Sequence, residues 1–170
     1  MPPIYKDIAF ISFVQTARAV TKYYDAHLYR RMKLSIVKLA VLTVLDHNGG
    51  AMTPSEIARE TYTERNNITT LVRRMSKEKL VRTEPNAGDK RSIKVILTDL
   101  GRETFQKARI VPREVRDHVL SSIAREDLSA MTLPMTIMRQ NALSGLAQMA
   151  RGAGRKAGNR QHARVAPAKS

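Results

Sequence analysis

Within ten residues the sequence places Arg65, Asn66, Asn67, Thr69, Thr70, Arg73 and Arg74. Their donors and acceptors sit on short or planar groups, the types that hydrogen-bond base edges and phosphate oxygens. Ile68, Leu71, Val72 and Met75 are interleaved with them at spacings of three, one and three, which makes a single apolar face on a helix from Glu64 to about Lys79. The polar residues share the opposite, outward side. A merely solvated face more often alternates Glu with Lys, so Asn, Thr and Arg crowding this helix is informative. A second cationic group, Asp89-Lys90-Arg91, falls in the turn that opens NAGDKRSIKVILTDLG (86–101). Cations projected beyond a strand can reach an anion, and Asp89 is suited to orient Arg91 by a charge-assisted hydrogen bond.

Other chemistries find no footing. The histidines, His27, His47, His118 and His162, lie far apart without metal-ligand spacing, and no cysteine exists to serve as thiolate ligand, nucleophile or redox sensor. No serine occupies a nucleophile elbow. Gly152, Gly154 and Gly158 miss the phosphate-loop spacing and follow no strand. The expectation is a chain that is not an enzyme and holds neither metal nor cofactor.

Charge identifies the kind of partner. Thirty Lys and Arg stand against 15 Asp and Glu, a net charge of +15. Such a balance attracts polyanions, nucleic acid before anionic membrane. Six basic and no acidic residues fall in 151–170, more than a third of the total charge. That stretch, rich in Gly and Ala with no apolar periodicity, is expected to be disordered and able to add phosphate contacts on any sequence. An architectural protein binding through charge alone is therefore the rival reading. RNA fits less well, since no aromatic platform accompanies the basic positions. No apolar run approaches a membrane span. The start, MPPIYKDIAFISFV, has neither the charged region nor the cleavage pattern of a signal peptide, so the sequence reads as mature and cytoplasmic.

The elements that must position these groups can be read from periodicity. Ile4, Ile8, Ile11, Val14, Ala17, Val20, Tyr24 and Leu28 recur at three or four, one stripe of a helix from Ile4 to about Arg31. At about 42 Å it is longer than a small core requires, which calls for a partner along part of its length. Ser35 to Asp46 reads as a buried helix ended by His47-Asn48-Gly49-Gly50. Thr53-Pro54-Ser55-Glu56 is a capping box that starts a two-turn helix ending at Glu60 or Thr61. Thr63 is the expected cap of the polar helix. Val81–Glu84 and Ile93–Leu97 make a β-hairpin. Thr98 or Asp99 starts a helix to about Ser122, kinked at Pro112, and a last helix covers roughly 126 to 149 with Pro134 making its first part irregular. Helix, two-turn helix, polar helix and hairpin form a helix-turn-helix followed by a wing, in which the second helix lies in the major groove and the hairpin tip reaches the adjoining backbone or minor groove.

The runs LSIVKLAVLTVL (34–45), TPSEIA (53–58), NNITTLVRRM (66–75) and above all Asp89-x-Arg91 followed by Leu97-Thr98-x-x-Gly101 resemble the multiple-antibiotic-resistance regulator (MarR) family of bacterial transcription factors. The similarity covers residues 4 to about 149. It implies a mostly α fold with a small antiparallel wing. Residues 1–33 and 99–150 would form a helical dimerisation region, 34–98 the winged helix-turn-helix domain, and 151–170 a basic tail. It also implies a homodimer on double-stranded DNA with a two-fold symmetric, pseudo-palindromic operator. Asn66, Asn67, Thr69, Thr70 and Arg73 would then face the groove, and Arg91 would be the wing contact. Relatives usually repress and are released by a small, often aromatic, anionic effector. Tyr23, Tyr24, His27 and Arg31 are the residues of the first helix that could line such a pocket, against the alternative of ordinary packing. Lys79 departs from the family, which usually has Gly there; a strained left-handed residue or a different helix end is expected.

Overall fold

A computed structural model describes the backbone of residues 4–86 and 89–162, and the side chains of residues 4–86 and 92–149. The chain divides into two compact units at Ser121 and Ser122. It is mostly α-helical with one small antiparallel sheet.

The first unit opens with α1 (Ile4–Met32), in which Leu28 alone is fully buried. Its first three turns do not carry a single stripe: Tyr5 and Phe10 interrupt it, and with Ile4 and Ile8 they are 61% to 70% exposed. Helix α2 (Ile36–His47) is capped by the Ser35 hydroxyl, which accepts from Lys38 N, and by Asp25 of α1, whose Oδ1 accepts from Ile36 N at 2.7 Å. Leu39, Val41, Leu42 and Leu45 of α2 lie at the centre of the core. The helix ends as its sequence requires. Gly49 and Gly50 adopt φ of +74° and +85°, and Gly50 N donates back to the Leu45 carbonyl at 2.7 Å.

Strand β1 (Ala51–Met52) was not legible in the sequence. It pairs antiparallel with β3 (Asp89–Leu97), Ala51 opposite Ile96 and Met52 opposite Val95, and β3 pairs on its other side with β2 (Val81–Asn86). The strand order is β1-β3-β2. Both hairpin strands are longer than their apolar patterns suggest. In particular, β3 begins at Asp89, so the backbone of Asp89, Lys90 and Arg91 belongs to a strand rather than a turn. Backbone pairing continues past the buried residues because a hairpin's ladder bonds do not depend on which face is apolar.

Helix α3 (Pro54–Glu60) carries the capping box. Glu56 N donates to the Thr53 hydroxyl at 3.3 Å, and the Glu56 carboxylate accepts from Thr53 N at 2.7 Å. That backbone bond, and next the Thr53 hydroxyl, hold Glu56 below the usual carboxylate range. The capping contribution is therefore complete above the ordinary carboxylate pKa and is lost as pH falls through the lowered value.

Helix α4 (Arg65–Lys77) follows, capped at the backbone by Glu64 without a side-chain bond. Thr63 is not its cap; the Thr63 hydroxyl donates instead to the Thr61 carbonyl at 3.1 Å. At its other end Lys79 adopts φ +59°, the strained left-handed alternative. Its N–H still donates to Ser76 O, and Leu80 N donates to Met75 O, so only the Cβ is at odds with the conformation. Lys79→Gly is expected to raise stability by about 1 kcal/mol, read as a higher urea midpoint with unchanged slope; an unchanged or lowered midpoint would contradict this.

Where the sequence suggests one kinked helix after the wing, two are found, α5 (Asp99–Ala108) and α6 (Ile110–Val119), separated at Arg109. Pro112 has no N–H to offer the Ala108 carbonyl, and the helix is interrupted there. Thr98 caps α5, its hydroxyl accepting from Gly101 N at 3.0 Å. The second unit contains α7 (Arg125–His162), helical through Pro134. It also continues beyond Met149: the backbone of residues 151–162 is helical where composition suggests disorder. Arg, Ala, Lys and Gln are good helix formers and no proline interrupts them, which offsets the weakening by Gly152, Gly154 and Gly158. Residues 163–170 of the expected tail lie outside the described residues.

Candidate nucleic-acid interface

Helices α3 and α4 are joined through Thr61 to Glu64. Tyr62 adopts φ +51°, and Thr63 N donates to the Ala58 carbonyl at 2.9 Å, which fixes the corner. Below it, Ile57 and Ala58 of α3 and Ile68, Val72 and Met75 of α4 join one core with Leu42 and Leu45 of α2. Ile68 and Met75 have no exposed surface at all. This footing fixes the rotation of α4 about its axis. The seven polar residues read from the sequence, Arg65, Asn66, Asn67, Thr69, Thr70, Arg73 and Arg74, are all exposed.

Charge on that face is uncompensated. Among the described residues Arg65, Arg73 and Arg74 make no ion pair, whereas several cations elsewhere do: Lys38 with Glu78 at 2.6 Å, Arg102 with Asp46 at 2.6 Å and Arg31 with Glu114 at 2.7 Å. The Thr69 hydroxyl donates to the Arg65 carbonyl at 3.0 Å, which leaves its oxygen lone pairs as outward acceptors. Three unpaired guanidiniums beside amide and hydroxyl groups make a surface complementary to a phosphate-edged groove.

The wing adjoins this face. Thr53, Pro54 and Ser55 at the start of α3, Arg65 and Thr69 of α4, and Asn86, Ser92 and Ile93 of the wing line one open cleft of about 450 Å³. Across the hairpin, Asn86 Nδ2 donates to Ser92 Oγ at 2.9 Å. Ser55 and Ser92 were missed by sequence reasoning, because only the fold brings them beside Arg65. The side chains of Asp89, Lys90 and Arg91, and with them the expected Asp89–Arg91 bond, lie outside the described residues.

The first-helix set does not stay together. Tyr23, His27 and Arg31 recur at four and face α6: Arg31 donates to Glu114 at 2.8 Å, His27 Nε2 lies 3.4 Å from Glu114 Oε2, and Tyr23 stacks on His118 with ring centres 5.2 Å apart. Tyr24, turned about 100° around the helix, instead lines a cavity of about 420 Å³ with Leu39, Thr43, His47, Phe105 and Arg109. Burial there raises the Tyr24 phenol above its ordinary pKa. Among the described residues no group of three His, Asp or Glu is placed to hold a metal ion.

Comparison with known proteins agrees with this architecture. Residues 33–92 match the model of the MarR family. The HTH-type transcriptional repressor IacR of Pseudomonas putida is 25% identical over 114 residues, covering 67% of this chain and 68% of IacR. Sco3205, a MarR family transcriptional regulator from Streptomyces coelicolor solved in complex with DNA, shares the fold with a TM-score of 0.76 at 23% identity, over 83% of this chain and 89% of Sco3205. The organohalide-sensing regulator RdhR-CbdbA1625 in its 2,4-dichlorophenol-bound form has a TM-score of 0.73 at 23% identity, over 81% of this chain and 80% of its own. With the winged helix in place, residues 33–92 match the MarR family of transcriptional regulators, and the chain shares the fold of solved MarR family proteins.

Proposed function

We propose that this regulator is a sequence-specific, DNA-binding repressor that works in the cytoplasm as a homodimer on a pseudo-palindromic operator and is released by a small aromatic or anionic effector. The observation that carries the reading is the α4 face, an exposed row of Asn, Thr and Arg with three unpaired guanidiniums on a fully buried footing. Asn66, Asn67, Thr69, Thr70 and Arg73 read base edges; Arg65, Arg74 and Lys90 hold phosphates; Arg91 enters the adjoining minor groove, oriented by Asp89. Sco3205, of the same fold, is described in complex with DNA, and IacR is a repressor.

Dimerisation accounts for α1. Its first three turns carry exposed apolar residues on several sides, and a helix apolar all round is covered by something. A second copy of the chain supplies that cover and gives the two-fold symmetry that a pseudo-palindrome mirrors. The effector reading shifts from the four first-helix residues to the Tyr24 cavity. There Arg109 and His47 offer cationic and hydrogen-bonding groups above the apolar Leu39, Phe105 and Pro112. The cavity is lined by residues of α1, α2 and α5, so an occupant would bear on the helix that supports the winged domain. RdhR-CbdbA1625, of the same fold, binds a chlorinated phenol. No helix among the described residues is long and apolar enough to cross a membrane.

The test is an anisotropy titration at near-physiological salt, comparing DNA from immediately upstream of the protein's own gene with a shuffled duplex of equal length. A preference of about a thousandfold, largely abolished by Arg91→Ala, is expected. Equal, steeply salt-dependent binding to both duplexes would favour the architectural reading instead.

A further inference from the structure

After Asp127 the sequence contains no acidic residue: the remaining 43 positions carry seven Lys and Arg. Four of these, Arg151, Arg155, Lys156 and Arg160, fall where the α7 backbone continues as helix to His162. Arg151 and Arg155 are four apart, and so are Lys156 and Arg160. Positions four apart share a side of a helix, where like charges destabilise it. Gly152, Gly154 and Gly158 weaken the same stretch further. A helix with cation pairs, three glycines and no acidic residue after it or for 23 residues before it in sequence is one that a polyanion would stabilise.

We propose that residues 151–162 are a second DNA-contacting element, which holds the phosphates of duplex DNA without regard to sequence and is separate from α4 and the wing. The proposal rests on the reading of the chain as a DNA-binding protein. The chemistry selects duplex over other polyanions. Between Arg151 and His162 every non-basic residue is Gly, Ala, Asn or Gln, so the segment has no apolar face to bury in an anionic bilayer. It has no aromatic ring on which unpaired bases of single-stranded nucleic acid could stack. From Arg151 to Arg160 the helix advances about 14 Å, a distance over which duplex DNA presents about eight phosphate charges. The two pairs lie about 140° apart around the helix, so in a groove each pair can meet the phosphates of one strand.

The experiment compares the full chain with a full-length variant carrying Arg151→Gln, Arg155→Gln, Lys156→Gln and Arg160→Gln, which removes charge while keeping good helix formers. Each is titrated with the preferred duplex and a shuffled duplex across a salt series. Circular dichroism and a urea midpoint establish that the variant is folded. Affinity for both duplexes should fall by the same factor, at least tenfold at low salt. The slope of log K against log salt should become shallower by about 3.6 per bound chain, about 0.9 for each phosphate no longer neutralised. An unchanged slope, or losses that differ between the two duplexes, would overturn the proposal. So would a variant that binds DNA normally but no longer binds vesicles containing phosphatidylserine. If the full chain shows no preference between the duplexes, the sequence-specific reading of α4 fails, while the change in slope still decides this one.

Discussion

Gly101→Ala should lower the stability of the fold by about 3 kcal/mol, near the upper end of what overpacking a tight site costs. Gly101 stands in the first turn of α5 with a helical backbone, so left-handed strain is not its reason for being glycine. Judged by helix propensity alone, alanine would improve the position by about 1 kcal/mol. The surroundings reverse that sign. A Cβ at residue 101 would lie 2.0 Å from the Leu80 carbonyl oxygen and 2.8 Å from Leu97 Cδ1. The Leu80 carbonyl cannot withdraw easily. It accepts from Thr98 N at 3.3 Å, and the Thr98 hydroxyl lies 2.9 Å from it and 2.6 Å from the Lys79 carbonyl, its one proton serving both. The Leu-Thr-x-x-Gly element is thus a corner joint: Leu97 fills the core, Thr98 ties the end of β3 to the start of β2, and Gly101 lets α5 pass against that junction. The control is Gly145→Ala in α7, where a Cβ meets nothing within 4 Å; that change should stabilise by about 1 kcal/mol. Urea unfolding of the two variants measures both signs. A Gly101→Ala protein as stable as the parent would refute the corner-joint account.

Substitutions on the exposed face of α4 should leave the fold intact and separate base reading from phosphate holding. If they read base edges as proposed, Thr69→Ala and Thr70→Ala should each cost the preferred duplex about 10- to 100-fold while hardly changing binding to a shuffled one. Arg73→Ala belongs to the same class. Arg74→Ala, at a position proposed to hold a phosphate, should weaken both duplexes alike and reduce the salt slope by about one. None of these side chains reaches the core, so unfolding midpoints should move by no more than about 0.5 kcal/mol. The separation matters because a charge-driven binder would show the second pattern at Arg73 and Arg74 and almost no change at Thr69 and Thr70. Equal losses on both duplexes for Thr69→Ala and Thr70→Ala would remove α4 from the reading of sequence.

The same division between local and distant information explains what the sequence disclosed. The Thr53–Glu56 capping box was legible because its two partners lie three residues apart and their chemistry is reciprocal. The face of α4 was legible because burial of Ile68, Val72 and Met75 at helical spacing leaves only one orientation for Thr69, Thr70 and Arg73. The left-handed Lys79 was one of two alternatives open at a position where the family resemblance leads one to expect Gly, and the backbone takes it. By contrast, β1 is two residues long and exists through pairing with residues more than forty positions away, which no local pattern records. Pro112 announced a disturbance but not that it would divide one helix into two. Tyr23, Tyr24, His27 and Arg31 look like one cluster because they are near in sequence. One residue is a rotation of about 100°, and that sends Tyr24 to the α2–α5 cavity and its neighbours to Glu114 and His118. Ser55 of α3 and Ser92 of the wing come together beside Arg65 only through the tertiary fold.

The central claim, that α4 and the wing read a two-fold symmetric DNA sequence, is tested most directly by selection of the full-length protein against a random-sequence duplex pool at near-physiological salt. The account predicts enrichment of one inverted repeat with half-sites about one helical turn apart, an enrichment that disappears when Thr69 and Thr70 are both replaced by alanine. A pool that binds but remains random after repeated rounds would contradict it, and would leave the basic surface and the 151–162 helix as the whole of the DNA affinity.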